Sequence, residues 1–144
     1  MVKIPETLWE PINKAFPPMA CVVCILLPDG YSQATPRASF VVLDDGANLG
    51  FWNRGGGTTA ENLTDGTKVT VYFRDPALRE SGYLPEGGVA RFYGTAEIHR
   101  GGAYLEEVWE KMIQWERDHD PEKKGHAVRI LLERVETLDL KPLG

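Results

Sequence analysis

The 144 residues carry 16 basic and 21 acidic side chains, a formal net charge of −5, with 42% hydrophobic and 26% charged positions. That is one domain's length of ordinary globular composition, which excludes intrinsic disorder. Charges of both signs are spread along the chain without a basic face or tail, so nucleic acid is not an expected partner.

The opening Met1-Val-Lys-Ile-Pro-Glu6 has no apolar stretch leading to a cleavage site. The longest apolar run, 19–27, is nine residues, against the ~20 that a membrane-spanning helix needs. The expectation is a cytoplasmic protein with no membrane partner. Residues 6–15 read as helical, interrupted by Pro11.

The run 19–27 reads as a buried strand and contains Cys21-Val-Val-Cys24, the spacing of metal and redox sites. On a strand, positions three apart face opposite ways, so the two thiols cannot meet. No second such pair exists, and His99, His119 and His126 lie far off in sequence. A buried structural role is therefore expected, and no metal. Pro28-Asp-Gly30 is a turn signal that predicts a hairpin with 31–35.

Pro36 punctuates, and 37–43 reads as the next strand, with Arg37 and Ser39 on one face. Such a pair suits a phosphate or ribityl group, although an arginine on an exposed strand needs no ligand. After the turn Asp44-Asp-Gly-Ala-Asn48 comes a strand at 49–53, leading into Phe51-Trp-Asn-Arg-Gly-Gly-Gly-Thr-Thr-Ala-Glu-Asn-Leu63. This segment runs strand, glycine loop, short helix over 58–64. Glycines let main chain approach a ligand, and Thr58 and Thr59 stand where a helix start gathers N–H groups. Thr58-x-x-Glu61 equally fits a capping box without any ligand.

Lys68–Arg74 alternates cleanly, with Val69, Val71 and Phe73 on one face. The connection 75–88, with two prolines and three glycines, is long enough to be a lid or a mobile surface loop. Residues 89–98 alternate again. Leu105, Val108, Trp109 and Met112 predict an amphipathic helix over 103–118, and 127–138 is the last strand. Six or seven strands with short turns predict a single mainly β domain, 1–144, an antiparallel barrel or sandwich with a few helices. The serine-elbow, zinc-protease and Walker motifs are missing, and no residue is marked as catalytic.

Five segments, in order, resemble one family: Pro36-Arg-Ala-Ser-Phe40, Leu49-Gly-Phe-Trp-Asn53, Thr58-Thr-Ala-Glu-Asn-Leu63, Val71-Tyr-Phe-Arg-Asp75 and Arg91-Phe-Tyr-Gly-Thr-Ala-Glu97. Together they look like the FMN-binding split-barrel proteins related to pyridoxamine 5'-phosphate oxidase, over about 19–138. The resemblance implies a six-stranded antiparallel split β-barrel and a homodimer with FMN at the interface. It implies that Arg37, Ala38, Ser39 and Phe40 line the ribityl and phosphate, partly through main chain. Trp52 and Asn53 would lie along the flavin, with Thr58 and Thr59 on the phosphate. Relatives place a lysine or arginine beside those threonines; this chain has none there, which shifts the charge to Arg37, the helix start and Arg54.

True pyridoxamine phosphate oxidases continue into a substrate-binding segment, whereas this chain stops at Lys141-Pro-Leu-Gly144, so a different, unidentified substrate is expected. The implied activity is that of an FMN-dependent oxidoreductase. An FMN carrier or electron-transfer module, a deazaflavin-binding relative, and a barrel for another apolar ligand remain open alternatives.

Overall fold

Alternating apolar and polar residues build seven strands in a computed structural model that describes residues 2–15, 21–55 and 57–144. They are β1 (Cys21–Leu26), β2 (Ser32–Arg37), β3 (Val41–Leu43), β4 (Asn48–Asn53), β5 (Lys68–Arg74), β6 (Val89–His99) and β7 (His126–Thr137). Their order in the sheet is β2-β1-β5-β6-β7-β4-β3, and every pairing is antiparallel. Residues 19 and 20, the expected start of the first strand, lie outside the described residues.

The fold is the mainly β split barrel expected, with seven strands in place of six. The extra one arises because 37–43 is not a single strand. β2 and β3 are opposite edges of the sheet, joined only by Ala38, Ser39 and Phe40. A connection that short forces the sheet to curl until its two edges nearly meet. Extending the β3–β4 register by two residues would put Ser39 opposite Trp52. Instead of a main-chain bond, the Ser39 hydroxyl accepts from the Trp52 N–H at 2.9 Å and donates to its carbonyl at 3.1 Å.

The barrel interior holds Cys21, Val23 and Ile25 of β1, Val69, Val71 and Phe73 of β5, Phe92 of β6 and Phe51 of β4. Phe40 stacks on Phe51 with ring centroids 5.0 Å apart. Cys24 lies on the other face of β1, half-buried, so the strand separates the two thiols as its alternation requires. A second cluster lies outside the sheet, where Trp52, Val41, Leu43 and Ala127 pack under Val108 and Met112.

Among the described residues, five short α-helices surround the sheet: α1 (Trp9–Asn13), α2 (Gly57–Asn62), α3 (Pro76–Glu80), α4 (Ala103–Lys111) and α5 (Gln114–Asp118). Periodicity predicted one helix over 103–118, but Met112 and Ile113 are extended and split it. Arg117 of α5 stabilises the break, its Nη1 donating to the carbonyls of Trp109, Glu110 and Met112 at 3.0, 2.8 and 3.0 Å. A helix end leaves such carbonyls without intrahelical partners. Segment 75–88 is not an open loop, since it contains α3. Asp75 caps α3 by accepting from Ala77 N–H at 3.0 Å, and Leu78 and Leu84 are buried. Among the described residues, no helix is long and apolar enough to cross a membrane.

Candidate cofactor site

The site forms where β2 and β4 end and β7 begins. Asn53, last in β4, pairs with His126, first in β7, and paired residues of an antiparallel ladder share a face. Asn53 shares the inward face of Phe51, two residues earlier, and Arg37 at the end of β2 places its guanidinium 5.9 Å from the Phe51 ring centroid. Phe51 thus forms an apolar floor, with Arg37 and Asn53 bringing polar groups to the strand ends.

Both polar groups are incompletely satisfied. Arg37 Nε and Asn53 Nδ2 are buried and have no hydrogen-bond partner among the described residues. The Gly55 N–H donates to Asn53 Oδ1 at 3.2 Å, which fixes the amide so that its N–H₂ is the idle group. Buried donors without acceptors are costly and rare in folded proteins. Two together are groups that an acceptor-rich ligand could satisfy.

The surrounding charges are mixed. Burial lowers the Arg37 pKa, Glu116 raises it and Arg54 lowers it, so these three groups lie within electrostatic reach of one another. Arg37 stays cationic, as arginine does in proteins. Glu116 of α5 is only 6% exposed, and its Oε2 lies 3.9 Å from Arg54 Nε. His126 is buried, and burial followed by the charge of Arg100 lowers its pKa. Arg100 Nη1 is 3.3 Å from His126 Nδ1. Since a guanidinium only donates, Nδ1 must carry the lone pair and the neutral ring its proton on Nε2.

Asp120 holds the opposing loop in place. One carboxylate oxygen accepts from the Trp52 indole at 2.9 Å and Gly125 N–H at 2.8 Å, the other from Lys124 N–H at 3.0 Å. Burial pushes the Asp120 pKa up, but the donors from Gly125, Lys124 and Trp52 outweigh it and hold the group below its ordinary value. This latch draws Gly125 so close that an added Cβ would stand 2.5 Å from the Asn53 carbonyl oxygen and 2.6 Å from Trp52 Nε1.

The residues expected to contact cofactor fall into distinct positions. Arg37 and Asn53 come together at the strand ends. Ser39 is 1% exposed, with its hydroxyl bonded to Trp52 main chain, and Ala38 and Phe40 are buried. Trp52, 1% exposed, faces away from Asn53 into the cluster under α4, because adjacent strand residues point to opposite faces. Thr59 of α2 is buried against β2, its hydroxyl donating to Gln33 Oε1 at 2.8 Å. Thr58 is the second residue of α2, inside the helix and not at its cap; Gly57 precedes it at φ +76°, a conformation that favours glycine. Gly56 lies outside the described residues.

Sequence reasoning missed Glu116, Asp120, Arg100 and His126. Asp120-Pro121 and Gly125 are turn-forming residues, but nothing in the sequence links them to Trp52.

The family model for pyridoxamine 5'-phosphate oxidase matches residues 13–139. The chain belongs to that family. Among solved structures, HupZ of Group A Streptococcus is similar at 24% identity, with 98% of each chain covered and a TM-score of 0.69. A candidate pyridoxamine 5'-phosphate oxidase of Lactobacillus delbrueckii is 23% identical, with 92% of this chain and 93% of that one covered and a TM-score of 0.62. A Clostridium acetobutylicum protein of the pyridoxinephosphate oxidase family, related to general stress protein 26, is 17% identical, with coverage of 92% and 88% and a TM-score of 0.59. These likenesses establish the shared fold. No curated protein matches.

Proposed function

We propose that this chain binds FMN and acts as a flavin-dependent oxidoreductase, working as a homodimer with the cofactor at the subunit interface. One observation carries the reading: two buried donors without acceptors among the described residues, Arg37 Nε and Asn53 Nδ2, at the strand ends of a pyridoxamine 5'-phosphate oxidase-family barrel. A phosphate ester bears roughly −1.5 to −2 charge near neutral pH, so it needs formal positive charge as well as donors. Arg37 and Arg54 supply the charge, since α2, with six residues and no lysine, is a minor contributor. The Asn53 amide suits a hydroxyl or carbonyl oxygen of the ribityl or ring. Ala38 and Phe40, whose side chains are buried, have main chain to offer.

When bound, FMN supplies electron transfer at its ring system. The residues' own part is to hold and orient it. Arg37 anchors one end, Asn53 fixes the rotation, and the Phe51 floor keeps water from one side of the strand ends. His126, held neutral with its Nε2 carrying the proton, is a hydrogen-bond donor within the same layer.

The test is direct. The purified protein should be yellow, and FMN should be the small molecule that mass spectrometry finds on release. Added FMN should lose fluorescence on binding, and light scattering should give twice the 16.1 kDa of the chain. Steady oxidation of a reduced nicotinamide by the loaded protein would support the enzyme; slow reduction without turnover would support a carrier. Failure to bind FMN at tens of micromolar refutes the cofactor reading, and a monomer refutes the dimer.

A further inference from the structure

An acid stands inside the cationic site. Glu116 is 6% exposed, yet its carboxylate approaches Arg54 Nε only to 3.9 Å, too far for a direct hydrogen bond. A buried carboxylate held for stability alone is normally hydrogen-bonded tightly to its partner. Even the more exposed carboxylates of this chain close on their arginine: Arg129 meets Asp44 at 2.9 Å and Glu97 at 3.0 Å. Glu116 does not close on its arginine, and Arg37 Nε nearby has no acceptor among the described residues. The three side chains therefore form a loose group of two positive charges and one negative, in place of a satisfied ion pair.

We propose that Glu116 is a specificity-determining counter-ion, which cuts the net charge of the Arg37–Arg54 site and so weakens its hold on a phosphate dianion. The inference rests on the phosphate-binding reading of this site. Two guanidiniums alone would match a dianion charge for charge. With Glu116 present the formal sum is one positive charge, and an incoming dianion meets a fixed like charge on a protein wall. Repulsion between partly buried charges at such range is felt, but solvent near Arg54, whose side chain is 41% exposed, screens part of it. The site is then tuned to exchange its phosphorylated ligand, and to discriminate less between phosphorylated and unphosphorylated forms.

Glu116→Gln keeps the size of the side chain and removes the charge. FMN and riboflavin would be titrated into the wild type and the variant by fluorescence quenching, across a range of salt. The expected result is FMN binding on the order of tenfold tighter in the variant, with riboflavin unchanged within about twofold and a steeper salt dependence for FMN alone. A purely structural role for Glu116 would shift both ligands together and leave the salt slope alone, which overturns the proposal. Unchanged or weaker FMN binding overturns it too.

Inorganic pyrophosphate, followed by calorimetry, separates this from the flavin reading. If the wild type takes neither flavin but Glu116→Gln binds pyrophosphate more tightly, the flavin assignment fails and the counter-ion stands. If pyrophosphate and FMN both bind no better to the variant, the counter-ion fails. Should the glutamine variant not fold, Glu116→Ala is read by the same criteria, and Glu116→Asp, which keeps the charge, should stay within about twofold of wild type for FMN. Tighter FMN binding by Glu116→Asp equal to that of the neutral variants would also overturn the proposal.

Discussion

Removing one oxygen atom at Ser39 should destabilise the whole barrel. The Ser39 hydroxyl accepts from the Trp52 N–H at 2.9 Å and donates to the Trp52 carbonyl at 3.1 Å, with serine and tryptophan each 1% exposed. Ser39→Ala leaves both main-chain groups buried with no partner, at about 1–3 kcal/mol each. The expected loss is about 2–6 kcal/mol, a lowering of the melting temperature by about 5–18 °C for a chain of this size. Urea unfolding followed by tryptophan fluorescence measures it, and the midpoint should move at constant slope. The exposed Ser32→Ala serves as the control and should stay within about 0.5 kcal/mol of wild type. If Ser39 instead served the cofactor, its alanine variant would keep its stability and lose flavin affinity. A loss below about 0.5 kcal/mol would refute the staple.

Three further outcomes follow from the site and the core. Arg37→Ala should weaken FMN about 10- to 150-fold, because charged hydrogen bonds contribute roughly 1.5–3 kcal/mol. Riboflavin should barely respond, and equal losses for both ligands would place Arg37 away from the phosphate. Asp120 has a folded pKa held below its ordinary value, so its contribution is present above the unfolded pKa of about 3.9 and fades as pH falls through the lower folded value. Asp120→Asn should therefore cost about 1–3 kcal/mol at pH 7 and much less near pH 3, and a pH-independent difference would contradict the latch. Cys21→Ala, in the core, should cost about 1–2 kcal/mol, whereas Cys24→Ala on the outer face should cost less than half of that; equal costs would deny their opposite facing.

Much of the fold was legible because strand alternation is a local property. Lys68–Arg74 has the bounds its pattern predicts, and the last two long strands shift by a residue at their ends. The helix over 103–118 was misread because its break depends on Arg117 reaching back to three carbonyls, which spacing cannot show. Asp75-Pro76 did announce α3, an N-cap followed by proline at the first helical position, and the glycines around it hid the signal. The strand break at 38–40 escaped because only barrel closure decides that Arg37 and Val41 belong to opposite edges. In the site, Arg37 could be named from its pairing with Ser39 on a predicted strand face, and Asn53 only through the family resemblance. Glu116, Asp120 and His126 could not, because folding alone brings them to the ends of β2 and β4.

That remote pairing also governs how the molecule comes to be. β4 meets β7, and β1 meets β5, across long stretches of intervening chain. Chains dominated by such non-local pairing have high contact order and fold in milliseconds to seconds, not microseconds. Asn53 and His126 of the candidate site come together only when the late strand β7 docks on β4. No fragment ending before β7 can present a formed site, so a ligand cannot template the early steps of folding. Occupancy would instead act on the finished barrel, slowing its global opening and protecting the Asn53–His126 amides from hydrogen exchange together with the core strands.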